Sequence, residues 1–247
     1  MKVALIGHGR MGRLIETILK ERGLSVSCII DEHDQELFDS REFRESDVAI
    51  EFTTPATAVD NILHCFAAGV PVVCGTTGWT DSLPELKKMC EEGKGTLLYA
   101  SNFSVGVNIF RAVNRYLARI MNDFAEYIPS MEETHHIHKL DHPSGTAITL
   151  AEEIVEASER LNGWKEPIPG EKPLEDMLEV AHVRRGEVPG IHEIKWDSDA
   201  DTITLVHSAK SRRGFASGAV MAAEWLAGKK GFFTISDVLA SKTQGLF

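Results

Sequence analysis

Residues 2–6 are a short apolar run that passes directly into Gly7-His8-Gly9-Arg10-Met11-Gly12, after which Leu14, Ile15, Ile18 and Leu19 recur at helical spacing. Strand, glycine turn and helix in that order leave few folds open to the chain. Gly7 and Gly9 let backbone approach a pyrophosphate, and Gly12 lets the helix pack close to the strand. A second strand over 26–30 ends at Asp31, nineteen residues after Gly12, where a dinucleotide-binding fold keeps an acid for the ribose hydroxyls. The competing reading is a flavodoxin-like sheet with a glycine turn and no nucleotide. The acid at that distance favours the dinucleotide.

Strands over 47–52, 70–74 and 96–100 alternate with helices over 56–68 and 83–92, which predicts a parallel, doubly wound sheet. Ligands of such sheets sit beyond the carboxyl ends of the strands. The loops there are Gly7 to Gly12, Thr53-Thr54-Pro55, Gly75-Thr76-Thr77-Gly78 and Ser101-Asn102-Phe103-Ser104. Each alone is an ordinary turn composition; four at one rim are better explained by a ligand.

The pattern then changes. An amphipathic helix over 105–124 carries the chain onward, followed by a strand over 127–134, a helix over 147–161 and a proline-rich loop over 162–173. Runs over 178–184, 190–196 and 202–208 follow without helices between them and predict a mixed or antiparallel sheet with one face left to cover. A helix over 215–226 and a short one from 236 close the chain. The expected organisation is α/β: a first domain of 1–104 with 216–247, and an inserted α+β domain of 105–215.

Between the two halves lies the densest group of titratable residues. His135 to His142 holds four histidines, Lys139 and Asp141 just ahead of a helix start at Pro143-Ser144-Gly145-Thr146. His135 and Lys139 are four apart, which puts them on one face of either a strand or a helix. The unpaired N–H groups of the helix start favour a bound anion. A proton donor, a fixed cation and a carboxylate seat thus fall in one stretch. Two blander readings are a structural metal, against which stand the lack of a nearby cysteine and of a four-ligand spacing, and an N-cap role for Ser144. No metal is expected.

The block His135-His136-x-x-Lys139-x-Asp141-x-Pro143-Ser144-Gly145-Thr146-Ala147 closely resembles the signature of the dihydrodipicolinate reductases. Similar stretches run along almost the whole chain: Gly-Arg-Met-Gly at 9–12, Phe-Thr-x-Pro at 52–55, Gly-Thr-Thr-Gly at 75–78, Asn-Phe-Ser-x-Gly at 102–106, Pro189-Gly190-x-His192, and His207 to Arg212 leading into Phe215. The first loop is one residue shorter than the common pattern, Glu51 stands for the usual Asp, and Met221 for an arginine of some members. The resemblance implies reduction of a cyclic imine dicarboxylate in lysine and diaminopimelate biosynthesis, with His135 as proton donor. His136, Lys139, Ser144, Gly145 and Thr146 would hold the substrate's carboxylates, with Lys139 also steadying negative charge as it develops. Gly7, His8, Gly9, Arg10, Met11, Gly12, Asp31, Gly75, Thr76, Thr77, Ser101, Asn102 and Phe103 would contact the cofactor. It also implies a homotetramer built through the mixed sheet.

Rivals are another dehydrogenase of an amino or hydroxy acid, which would need a different acid–base residue, and an NADH-binding regulator without chemistry, which could dispense with Lys139. Asp31 would repel a 2′-phosphate and no Arg or Lys follows until Arg41, so NADH is the expected cofactor, with NADPH possible. A net charge of −11 argues against nucleic acid or an anionic membrane as partner. Cys28, Cys65, Cys74 and Cys90 show no paired spacing, and no charged leader with an apolar segment precedes the first strand, which predicts a reduced, cytoplasmic protein.

Overall fold

The structure, a computed structural model, describes residues 1–243 and divides into two compact units, Met1–Val105 with the segment from Arg213 onward, and Gly106–Arg212. The crossings thus fall one residue after and three residues before the boundaries expected from the sequence.

The first unit is a six-stranded, wholly parallel sheet of order β11-β5-β4-β3-β1-β2. Its strands are β1 (Lys2–Ile6), β2 (Ser25–Ile30), β3 (Val48–Glu51), β4 (Val72–Cys74), β5 (Thr96–Tyr99) and β11 (Gly231–Thr234). Helices α1 (Arg10–Glu21), α2 (Arg41–Arg44), α3 (Ala58–Ala68), α4 (Leu83–Glu91), α7 (Arg213–Leu226) and α8 (Ile235–Thr243) belong to this unit. The central strands are apolar on both faces, and two separate cores result. One gathers Ile15, Ile18 and Leu19 of α1 with Ala219, Ala222 and Ala223 of α7; the other gathers Ile62, Cys65 and Phe66 of α3 with Leu86 of α4. That is the doubly wound arrangement which strand runs buried on both sides require.

The second unit holds α5 (Val105–Ile120, starting at the junction), β6 (Ile128–His135), α6 (Gly145–Ala157), β7 (Gly163–Lys165), β8 (Met177–Arg184), β9 (Ile191–Asp197) and β10 (Thr202–Ser208). Its mixed sheet has the order β10-β9-β6-β8-β7. β6 lies between β8, which runs parallel to it, and β9, which runs antiparallel, so β8 and β9 follow one another in sequence without pairing. One face packs Met131, Leu178, Val180, Ile194 and Trp196 against Leu150, Ala151 and Ile154 of α6 and Phe110 and Ala118 of α5.

Several expectations are corrected. The helix expected over 105–124 stops at Ile120, followed by a 3-10 turn. Arg160 explains the stop: its guanidinium takes the carbonyls of Met121, Ala125 and Tyr127 at 2.9–3.2 Å, while Asn122 bonds the end of α6. The loop expected over 162–173 contains the three-residue strand β7, and the edge strand β11 and the short α2 were not foreseen.

Candidate active site

In the first unit, Gly7 has φ +90°, and a Cβ there would lie 2.1 Å from the carbonyl oxygen of Phe52. A Cβ at Gly12 would meet the Gly7 carbonyl, also at 2.1 Å, whereas Gly9 faces open space. Packing therefore demands glycine at positions 7 and 12, and at Gly9 it does not. Gly9 is the N-cap of α1 and provides no side-chain cap, which leaves the first-turn N–H groups for another acceptor. The Gly7 amide donates to Ile30 O at 2.8 Å, and this brings the glycine turn beside the end of β2, where Asp31 is exposed.

The rim loops share an anchor. Glu51, fully buried at the end of β3, accepts from the Thr53 amide and hydroxyl, from Thr76 Oγ1 at 3.0 Å and from Cys74 Sγ at 2.9 Å. Thr76 is consequently a buried loop tie, while Thr77 and Ser101 are exposed and Asn102 is half-buried. The Phe103 side chain belongs to the core, and a Cβ at Gly218 would press on its carbonyl at 1.8 Å. His8 is paired with Glu16 at 2.8 Å, and Arg10 and Met11 occupy the first turn of α1.

The second unit corrects the geometry read into the histidine stretch. β6 ends at His135 and a turn follows, closed by the Lys139 amide on His136 O at 3.2 Å. His135 and Lys139 therefore share neither a strand nor a helix face. The ring of His135 is buried, whereas the Lys139 ammonium is bound by both oxygens of Asp141 at 2.8 and 2.9 Å. The four histidines do not converge either: His138 bonds Glu187, His142 bonds Glu166, and His136 is half-buried with Nδ1 enclosed.

Glu133, two residues before His135 and hence on the same side of β6, organises the site. It is fully buried, and one oxygen accepts from the Ser144 amide at 3.0 Å and from Arg184 at 3.1 Å. The other lies 3.2 Å from His135 Nδ1 and 3.8 Å from Nε2 of His192, the residue opposite it on β9. Burial alone would raise the carboxyl's pKa, but the His135 imidazole at 3.2 Å and the hydrogen bond from Ser144 outweigh it and bring the value down to about 2. His192 is depressed to about 4, first by burial and then by the charge of His135. Arg184 also donates to the carbonyls of Lys139 and Asp141, which fastens the turn to the sheet.

Ser144 is an N-cap, with Oγ accepting from the Ala147 amide at 3.2 Å, and it also lies 3.3 Å from His192 Nε2. The cap leaves the N–H groups of Gly145 and Thr146 at the helix start without helical partners. Gly190 keeps the other side of His135 clear, since a Cβ there would lie 2.9 Å from Nε2. Glu133, Arg184 and His192 are the members that sequence reasoning missed. The signal for Glu133 was its period-2 relation to His135, and that for His192 its place in the Pro189-Gly190-x-His192 stretch; Arg184 is brought in only by strand register.

Comparison with known proteins agrees along the chain. Residues 1–103 match the family model described as dihydrodipicolinate reductase, N-terminus, and residues 106–239 match that of the C-terminus. A 4-hydroxy-tetrahydrodipicolinate reductase of Christiangramia forsetii is 45% identical over 97% of this chain and 98% of its own. One of Archaeoglobus fulgidus is 36% identical over 97% of this chain and its full length. In fold, the chain is similar to a dipicolinate-bound dihydrodipicolinate reductase from Paenisporosarcina, with a TM-score of 0.72 at 23% identity, covering 95% and 97% of the two chains. With the two family models together spanning residues 1–103 and 106–239 and a relative 45% identical over 97% of the chain, the chain belongs to the dihydrodipicolinate reductase family.

Proposed function

We propose that the protein catalyses the reaction for which its relatives are named: 4-hydroxy-tetrahydrodipicolinate loses its 4-hydroxyl as water, and the resulting dihydrodipicolinate takes a hydride from NAD(P)H and a proton to give tetrahydrodipicolinate. The observation that carries this reading is a histidine at a strand end whose Nδ1 lies 3.2 Å from a buried, ionised glutamate, beside a helix start open to an anion. The rim of the first unit fits a dinucleotide: Gly9 opens to free space, the α1 start has unclaimed N–H groups, and Asp31 is exposed beside it. When bound, the dihydronicotinamide supplies the hydride.

The chain's own residues do the rest. Glu133 fixes the ring of His135 through Nδ1 and leaves Nε2, kept clear by Gly190, to give the proton that the reduced ring takes up. The N–H groups of Gly145 and Thr146 and the Ser144 hydroxyl receive one carboxylate. Lys139, on leaving or sharing Asp141, pairs with a carboxylate and steadies the developing negative charge, and His136 borders the same seat. Asp31 would bond the ribose hydroxyls and repel a 2′-phosphate, which favours NADH over NADPH. We assign cofactor binding to the first unit and substrate binding to the second, and we assign a cytoplasmic homotetramer with no nucleic acid or membrane partner. No described helix is long and apolar enough to cross a membrane.

The test is spectrophotometric: NADH oxidation with freshly made substrate precursor. Turnover that depends on the precursor and is blocked by pyridine-2,6-dicarboxylate supports the reading; its absence with both NADH and NADPH removes it.

A further inference from the structure

Away from Glu133, a second group of ligating side chains comes together in the same unit. His142 precedes Pro143 in the turn, Glu166 follows β7 directly, and His182 lies on β8. His142 Nδ1 is 3.1 Å and His182 Nδ1 2.7 Å from the same oxygen, Glu166 Oε2, and one ligand atom from each of the three residues lies within 4.8 Å of the others. The two rings stack with centroids 4.2 Å apart and planes 22° from parallel. The side chains are 51%, 35% and 33% exposed, so the group opens to solvent on one side.

A hydrogen bond from His142 and a close approach of His182 to the same carboxylate oxygen account for the distances as they stand. The arrangement suits something further. Imidazole with carboxylate is a donor set that zinc and its neighbours take. In a tetrahedral sphere with bonds of about 2.0–2.1 Å, ligand atoms stand roughly 3.3 Å apart. The lone pair of each Nδ1 lies in its ring plane, so both rings must turn out of their stack to meet on one ion, and their exposure leaves room for that rotation. Of the two reasons that no metal was expected, the lack of a nearby cysteine still holds, but the spacing along the chain does not apply here: Glu166 is 24 residues beyond His142, and His182 enters only through the pairing of β7 with β8.

We propose that His142, Glu166 and His182 form a site for a divalent transition-metal ion of the zinc class, with its remaining position open to water. The site is separate from the Glu133, His135 and His192 group. Because His142 sits between Asp141, which holds Lys139, and Pro143-Ser144, the ion would pin the substrate turn to the sheet.

The test is calorimetric titration of the untagged, chelator-treated full chain with zinc, with cobalt(II) as a visible-absorption probe. One equivalent should bind, with the absorption of a four-coordinate site. Affinity should fall at least about tenfold in His182→Ala and also in Glu166→Gln, a half-exposed change that keeps shape. It should be unchanged in His135→Gln. Absence of saturable binding to the unmodified chain, persistence of full affinity in both variants, or loss of binding in His135→Gln would overturn the proposal; the last would move the ion to the Glu133 group.

Discussion

Glu133 carries a charge at a position closed to solvent, and that is tolerable only because two imidazoles, a guanidinium and an amide surround it. Its removal should therefore show in both chemistry and stability. Glu133→Gln should lower turnover roughly ten- to a hundredfold, as loss of an orienting partner does, with a smaller effect on KM. His135→Gln should go further, by about 10² to 10⁴ in maximal rate, while still binding pyridine-2,6-dicarboxylate. Lys139→Met should weaken that ligand, by no more than the roughly 1.5–3 kcal/mol of a charged hydrogen bond, because Asp141 already competes for the ammonium. Near-normal turnover of His135→Gln at saturating substrate would remove it as the proton donor. The folded pKa of His192, about 4, lies below its ordinary 6.5, so the unfolded chain takes up this proton first. Its contribution to stability is complete above pH 6.5 and is lost as pH falls towards 4; that of Glu133, depressed from 4.5 to about 2, is lost below that. Urea unfolding at several pH values should show this decline, and His192→Gln should flatten its upper part. The dense histidine stretch stood out as a candidate site because its residue types are close in sequence. Its partners were not, since strand register supplies them, and the shared face of His135 and Lys139 failed because the strand ends between them.

Among the elements, the long apolar strands and amphipathic helices could be read because their own sequence determines them. The short ones could not: β7, β11 and α2 hold three or four residues each and depend on neighbours distant in the chain. The end of α5 is set by Arg160, forty residues beyond Ile120, and no periodicity reports that. The glycine turn of β1 and α1 was legible as a motif, yet only the structure separates the tasks of its glycines. Gly12→Ala drives a Cβ into the Gly7 carbonyl and should cost about 1–3 kcal/mol as overpacking, measured by chemical unfolding. Gly9→Ala meets nothing in the protein, so stability should hold while NADH affinity falls. If Gly9→Ala binds NADH as well as the unmodified chain does, the turn does not approach a pyrophosphate at that residue.

At the scale of the whole molecule, the proposed tetramer rests on the mixed sheet of the second unit. Its packed face is closed by α5 and α6, while Ser130, Glu132, Lys195, Thr202, Thr204 and Val206 of the opposite face are exposed. An exposed sheet face of this breadth, with β-branched residues among its charges, suits self-association through symmetric contacts. The face is more polar than an uncovered core would be: Glu132 and Glu193 stand opposite one another, offset by Lys195 at 2.6 Å from Glu193. An interface here must therefore rest on the apolar part of β10 and on paired charges, and a further negative charge should weaken it. Val206 is 52% exposed and lies opposite Glu193 in register, so Val206→Glu places two like charges side by side without disturbing the packed face. Sedimentation at micromolar concentration should show a tetramer for the unmodified chain and a smaller species for Val206→Glu, with unchanged far-ultraviolet dichroism. A monomer for the unmodified chain would remove the assignment. A Val206→Glu protein that stays tetrameric would put the interface elsewhere than on this face.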